Sequence, residues 1–76
     1  MKAKIMRANT RVYTYKFEGR DEVPISAVIN TATHCGNSLN YSATNDVVYV
    51  DGYQKSLSDT VKDNELIIIA AKIKGN

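Results

Sequence analysis

His34 and Cys35 place the chain's only histidine beside its only cysteine, the one pairing of a base with a strong nucleophile in the sequence. A thiol nucleophile needs a base within hydrogen-bond reach to remove its proton. Adjacent side chains on a helix point about 100° apart, so this imidazole is not expected to reach the thiol. We interpret Cys35 as a small hydrophobic residue that packs inward and His34 as a solvent-facing residue near a helix C-terminus.

The acidic residues do not suggest a metal or catalytic site. A structural metal site needs about four ligands, and one histidine and one cysteine leave the others to be found among scattered carboxylates. Asp51, Asp59 and Asp63 fall in turn-like sequence, where carboxylates accept hydrogen bonds from backbone N–H groups. The sequence therefore predicts a protein that is not an enzyme and holds no cofactor.

Three aromatic residues, Tyr13, Tyr15 and Phe17, alternate along a predicted strand and therefore share one face. Aromatic side chains on a sheet can stack on nucleic-acid bases. They are also the largest apolar groups available to a core, because the chain has one Phe and no Trp. We interpret Phe17 and Tyr15 as core residues and keep nucleic-acid binding as an alternative.

A length of 76 residues with 43% hydrophobic side chains predicts one domain over residues 1–76. The longest apolar run, Leu66–Ala71, is far shorter than the roughly 18 residues that a membrane span needs. The first residues lack the apolar segment of a signal peptide, and one cysteine cannot form an internal disulfide. We therefore expect a soluble cytoplasmic protein, a monomer or weak homo-oligomer, that does not bind membranes.

Two predicted hairpins carry most of the alternating sequence. Residues 2–7 and 11–18 alternate apolar and polar side chains, with turn-forming residues between them. Residues 47–50 and 53–55 are separated by Asp51-Gly52, a pair that tolerates the positive φ of a tight hairpin turn.

A helix is predicted between the two hairpins. Pro24 suits its first turn, and Gly36 suits the position just after its end. The residues between them change to a helical period, and residues 37–46 then form a polar loop. The apolar residues that share one helix face are Ile25, Val28, Ile29, Ala32 and Cys35.

The final third of the chain holds the most apolar segment. Residues 56–61 form a predicted polar connection, with Leu57 and Val61 as apolar anchors. Leu66–Ala71 is apolar at every position, which indicates a central strand covered on both sides near its start. Ile68 is therefore expected in the core.

Positive charge is concentrated near the ends of the chain. Residues 1–20 hold six basic residues against Glu18, whereas residues 21–70 hold seven acidic residues against two lysines. Strand alternation predicts that several lysines share the sheet face opposite the helix. Such a patch would attract an acidic protein surface or a phosphate backbone. The predicted partner-binding residues are Lys2, Lys4, Lys16, Lys72 and Lys74.

The predicted order of hairpin, helix, hairpin and last strand is that of the β-grasp fold. This α+β fold has a mixed four- to five-stranded sheet packed on one helix, with the last strand beside the first. Residues 47–52 and 61–69 resemble the corresponding stretch of the ThiS/MoaD sulfur carriers and the TGS domains. Those families have a V-x-V-N-G hairpin followed by an L-x-D-G-D-x-V-x-I entry into the last strand.

The resemblance implies two functions. Sulfur carriers act through a C-terminal Gly-Gly that is converted to a thiocarboxylate, whereas TGS domains contact RNA. Here Gly75 matches one glycine, but Lys74 replaces the other and Asn76 follows, so carrier chemistry would require removal of Asn76. We favour a small non-catalytic protein-binding module, such as an accessory regulator or inhibitor carried by a phage or mobile element. A degenerate or processed sulfur carrier and an RNA-contacting module are the alternatives.

Overall fold

The computed structural model describes residues 1–37 and 39–73, and within them it has one helix and two β-sheets. The larger sheet has five strands in the order β2-β1-β7-β4-β5, and the smaller one pairs β3 with β6. This α+β architecture, a mixed five-stranded sheet packed against one helix, is compatible with a β-grasp. The elements are β1 (Lys2–Arg7), β2 (Tyr13–Lys16), β3 (Glu22–Pro24), α1 (Ile25–His34), β4 (Asp46–Val50), β5 (Tyr53–Lys55), β6 (Thr60–Lys62) and β7 (Leu66–Ala71).

The apolar strand β7 lies in the middle of the larger sheet, as its sequence predicts. It runs parallel to β1, with Lys4 opposite Leu66, and antiparallel to β4, with Tyr49 opposite Ile68. The last strand therefore lies beside the first. Parallel neighbours cannot be joined by a tight turn, so the rest of the chain forms the crossover between them.

The hydrophobic core lies between the sheet and α1. Alternate residues of β1, β4 and β7 point toward the helix and are buried, among them Ile5, Ile67 and Ile69. The helix contributes the predicted apolar face, from which Ile25, Val28, Ile29 and Ala32 are buried. No helix within the described residues has the length and apolar content needed to cross a bilayer.

The prediction that Cys35 packs inward is wrong, because this residue is exposed. The helix ends at His34, and Cys35 is its C-cap, with φ −81° and ψ 7°. Gly36 follows at φ 79° and turns the chain, and its N–H donates to the Thr33 carbonyl at 3.1 Å. The helical period thus stops one residue before it would have buried the thiol. His34 is exposed, as expected.

Residues 56–61 form more than the predicted polar connection. Val61 lies in β6 opposite Val23 of β3, and both side chains are buried. The carbonyls of Asp59 and Leu57 accept hydrogen bonds at 2.9 and 3.1 Å from the first two N–H groups of α1. These backbone carbonyls satisfy the first N–H groups of the helix in place of an N-cap side chain, because Pro24 at the N-cap has no side-chain oxygen.

The strand β2 is shorter than the predicted residues 11–18. Tyr13, Tyr15 and Phe17 are half-buried against the core, which agrees with core packing for Tyr15 and Phe17. The Asn37 side chain donates a hydrogen bond of 2.7 Å to the Tyr15 hydroxyl, so the phenol is satisfied at the core boundary.

Ile68 is not a core residue, and the predicted cover on both sides of β7 is absent. Strand alternation places Ile68 on the sheet face away from α1, together with Leu66, and both side chains are half-buried. Ile67 and Ile69 point to the helix and have no exposed surface. An uninterrupted apolar strand here combines one buried face with one that remains partly accessible.

Lysine substitutions at two adjacent positions test this assignment. Ile69→Lys should prevent folding, because an unpaired buried ammonium costs several kcal/mol against a stability of roughly 5 kcal/mol for a small domain. Ile68→Lys should retain a cooperative thermal transition, because its ammonium reaches solvent. Circular dichroism melting of both variants gives the comparison, and equal destabilisation would contradict the assigned faces.

Candidate functional site

The sheet face opposite the helix, here called the open face, is the candidate functional site. Strand registers place eleven strand side chains on it. None of these eleven carries a carboxylate. They comprise an apolar centre of Met6, Val47, Tyr49, Leu66, Ile68 and Ala70, a lysine corner of Lys2, Lys4 and Lys16, and the polar residues Thr14 and Gln54.

The apolar centre departs from the usual pattern of a solvated sheet. A sheet with one core face normally presents alternating polar residues on the other. Here the six members of the apolar centre are all half-buried, and they lie on the three middle strands. Met6, Ile68 and Tyr49 are directly opposite one another across β1, β7 and β4. The open face therefore presents a continuous apolar row rather than scattered exposed side chains.

The lysine corner brings like charges together. Lys2 and Lys16 are directly opposite in the β1–β2 register, and Lys4 follows two residues along β1. The next residues outward, Met1 and Phe17, exchange backbone hydrogen bonds, so Lys2 and Lys16 form the closer, non-hydrogen-bonded kind of pair. No ion pair neutralises these lysines within the described residues. Like charges at such positions oppose sheet stability.

The predicted patch of five lysines is brought together only in part. Lys4 is level with Leu66, so Lys72 lies six residues further along the β7 direction, about 20 Å away. The Lys72 ammonium instead donates a hydrogen bond of 3.3 Å to the Ala43 carbonyl. Lys74 and the proposed carrier residue Gly75 lie outside the described residues.

A polar cleft of about 490 Å³ adjoins the lysine corner. Lys2 and Lys16 line it together with Glu18, Asp21 and Asp63, so charges of both signs meet there. The Asp63 carboxylate accepts a hydrogen bond of 2.7 Å from the Lys2 backbone N–H. The cleft lining therefore carries charges of both signs, whereas the eleven strand side chains of the open face carry positive charge only.

His34 and Cys35 remain two exposed residues at the end of α1. Within residues 1–37 and 39–73, no three His, Cys, Asp or Glu side chains lie close enough to share a metal ion.

An ion pair between Arg7 and Asp46 is the main polar feature that sequence reasoning missed. The guanidinium donates to both Asp46 oxygens, at 3.2 and 2.8 Å, and to the carbonyls of Leu39 and Asn40, at 2.6 and 2.9 Å. The Ser42 N–H donates to the same carboxylate at 2.8 Å. The pair therefore attaches the loop before β4 to the end of β1.

The Arg7–Asp46 pair shifts the titration of both groups. Hydrogen bonds from Arg7 and then from the Ser42 N–H hold the pKa of Asp46 below its ordinary value, against the opposing effect of burial. The same hydrogen bond raises the pKa of Arg7. Asp46 is only 6% exposed, so its charge is stabilised mainly by these contacts rather than by water.

Asp46→Asn should lower the free energy of unfolding by about 2 kcal/mol at pH 7, because it removes charge-assisted hydrogen bonds from a buried position. A lowered folded-state pKa contributes stability above the unfolded value near 4 and loses it as the pH falls through the folded value. Urea unfolding at pH 7 and at about pH 2 should therefore show a smaller difference between variant and parent in acid.

The exposed Asp21→Asn is the matched control, since it makes the same chemical change without a buried partner. It should unfold like the parent protein at pH 7. Equal stability of Asp46→Asn and Asp21→Asn at pH 7 would contradict the role assigned to the ion pair.

Comparison with known proteins adds no assignment to these surfaces. The chain matches no protein-family model and no curated protein sequence. The open face is therefore the basis for a functional assignment.

Proposed function

We propose that this chain is a small non-catalytic domain of the β-grasp type that binds another protein through the open face. One observation carries the proposal: a continuous apolar centre lies beside a lysine corner whose ammonium groups form no ion pair within the described residues. Protein interfaces commonly combine an apolar middle with a polar border. The open face has that composition.

The lysine corner supports a functional interpretation because two of its like charges, Lys2 and Lys16, lie directly opposite each other, an arrangement that is generally unfavourable in a sheet. A carboxylate at Lys2 or Lys16 would turn a repulsive cross-strand pair into an attractive one. Local features that conflict with stability are expected where binding needs them. An acidic border on a partner would supply the missing charge, with its main effect on the association rate.

The position of the aromatic residues supports a protein partner over RNA. Tyr13 and Tyr15 belong to the helix side of the sheet, so they do not form a stacking platform on the open face. Tyr49 is the aromatic member of the apolar centre. Binding of single strands on a sheet usually relies on several aromatic side chains. The aliphatic majority of the centre suits a protein surface better.

The alternative function, that of a sulfur carrier, requires a covalent modification of the chain. It requires loss of Asn76 and a thiocarboxylate on Gly75, which intact-mass measurement of the protein from its native host would detect. Finding that species would replace the proposal of a binding module with that of a sulfur carrier. An unmodified chain would support the binding module.

Charge reversal of the lysine corner tests the proposal. Replacing Lys2, Lys4 and Lys16 together by Glu should abolish capture of the partner from a native-host extract at low salt, because the border then repels acidic groups. Capture is measured by affinity pull-down and quantitative mass spectrometry. Circular dichroism checks that the variant keeps its fold.

Lys55, Lys62 and Lys72 provide the matched control, since all three are exposed and lie outside the lysine corner. Their joint replacement by Glu makes the same net-charge change and should leave capture intact. If both triple variants capture the same proteins as the parent, the open face is not the binding surface.

A further inference from the structure

The strand β2 forms one edge of the larger sheet and leaves a row of backbone groups unpaired. The hydrogen bonds between Met1 and Phe17 identify which residue pairs of the β1–β2 ladder are hydrogen-bonded. These two residues exchange backbone hydrogen bonds at 3.0 and 2.8 Å. Because such pairs alternate along an antiparallel ladder, Ala3 with Tyr15 and Ile5 with Tyr13 continue the series.

Thr14 and Lys16 therefore direct their N–H and C=O groups away from β1. The hydrogen bonds on the other side of β1 are consistent with this alternation. The Lys4 N–H donates to the Glu65 carbonyl at 3.2 Å, so it points toward β7 and not toward β2. Within the described residues, Thr14 and Lys16 have no backbone partner on the outer side of β2. This outer side is here called the β2 edge.

The two sides of the β2 edge differ in chemistry. On the open face it carries Thr14 and Lys16, with Lys2 and Lys4 on the adjacent strand. On the helix side it carries Tyr13 and Tyr15, both half-buried. A strand added to this edge would place successive side chains alternately beside lysines and beside tyrosines.

The opposite edge of the sheet lacks this combination. β5 has three residues, all exposed, and Gln54 is its one side chain on the open face. Edge strands are often protected by a lysine of their own. That explanation covers Lys16, but it does not cover Lys2 and Lys4, which lie on the interior strand β1.

We propose that the partner adds a β-strand to the β2 edge, with acidic side chains facing the lysine corner and apolar side chains facing Tyr13 and Tyr15. Backbone hydrogen bonds to Thr14 and Lys16 hold the added strand, and the alternating side chains select its sequence. This inference rests on the proposed function and specifies the form of the partner: an extended segment with alternating acidic and apolar residues.

A synthetic peptide tests the inference directly. The probe is a capped heptapeptide, Glu-Val-Glu-Phe-Glu-Val-Glu, titrated into isotope-labelled protein and followed by amide chemical shifts in NMR. The Thr14 and Lys16 amides should shift and become protected from solvent exchange. The same peptide with lysine in place of glutamate should not bind, because it repels the lysine corner.

Two protein variants and modified forms of the peptide separate the effect of backbone pairing from that of charge. Thr14→Pro removes an outward N–H while leaving the β1–β2 ladder intact, and it should weaken peptide binding at least about tenfold. Thr14→Val removes only the hydroxyl and should bind like the parent. Two heptapeptides, each N-methylated at one of the two alternating sets of amides, give the same test without any change to the protein. Only one set can face β2, and methylation of that set should prevent binding.

The results distinguish this inference from the proposed function. If both N-methylated peptides bind as well as the parent peptide, or if no amide of β2 responds up to about 1 mM peptide, strand addition is overturned. Loss of native-partner capture in the lysine-corner variant would then still support the proposed function. If that variant keeps capture while Thr14→Pro loses it, the open face and the acidic side chains assigned to the partner are both overturned, and only backbone pairing at the β2 edge is retained.

Discussion

The parallel pairing of β1 with β7 is the constraint on which both proposed binding surfaces depend. It places Lys4 opposite Leu66 and Met6 opposite Ile68, so the lysine corner and the apolar centre become neighbours on one face. It also occupies one side of β1 and leaves β2 to pair with the other, which makes β2 an edge. A shift of one residue in this register would exchange the open face with the core face.

Much of the fold could be predicted because its signals are local. Alternation in β1 and the helical period of α1 are visible in short windows, and the order of elements then limits the topology. The predictions failed where the burial or pairing of a residue depends on the exact end of an element or on a residue distant in sequence. Cys35 fits the helical face by spacing, but the helix ends before it. Val23 and Val61 lie too far apart in sequence for their pairing to be recognised.

Of the candidate site, only the grouping of positively charged residues could be predicted from the sequence. Strand parity alone placed Lys2, Lys4 and Lys16 on one face, whereas Lys72 needed the β1–β7 register to show its distance from them. The apolar centre was not predicted, because a strand that is apolar at every position is normally interpreted as buried on both faces. The Arg7–Asp46 pair joins residues that are 39 positions apart and has no sequence motif.

The same parallel pairing affects how the domain can be made. The two strands β1 and β7 are about sixty residues apart in sequence, so bringing them together has a high entropic cost of loop closure. Such long-range pairing belongs to the slower class of folding events. During synthesis, the β1–β2 hairpin leaves the ribosome well before β7 is complete, and until then its apolar side chains have no sheet partner on the β7 side. The larger sheet of this domain therefore cannot be completed until nearly the whole described chain has been synthesised.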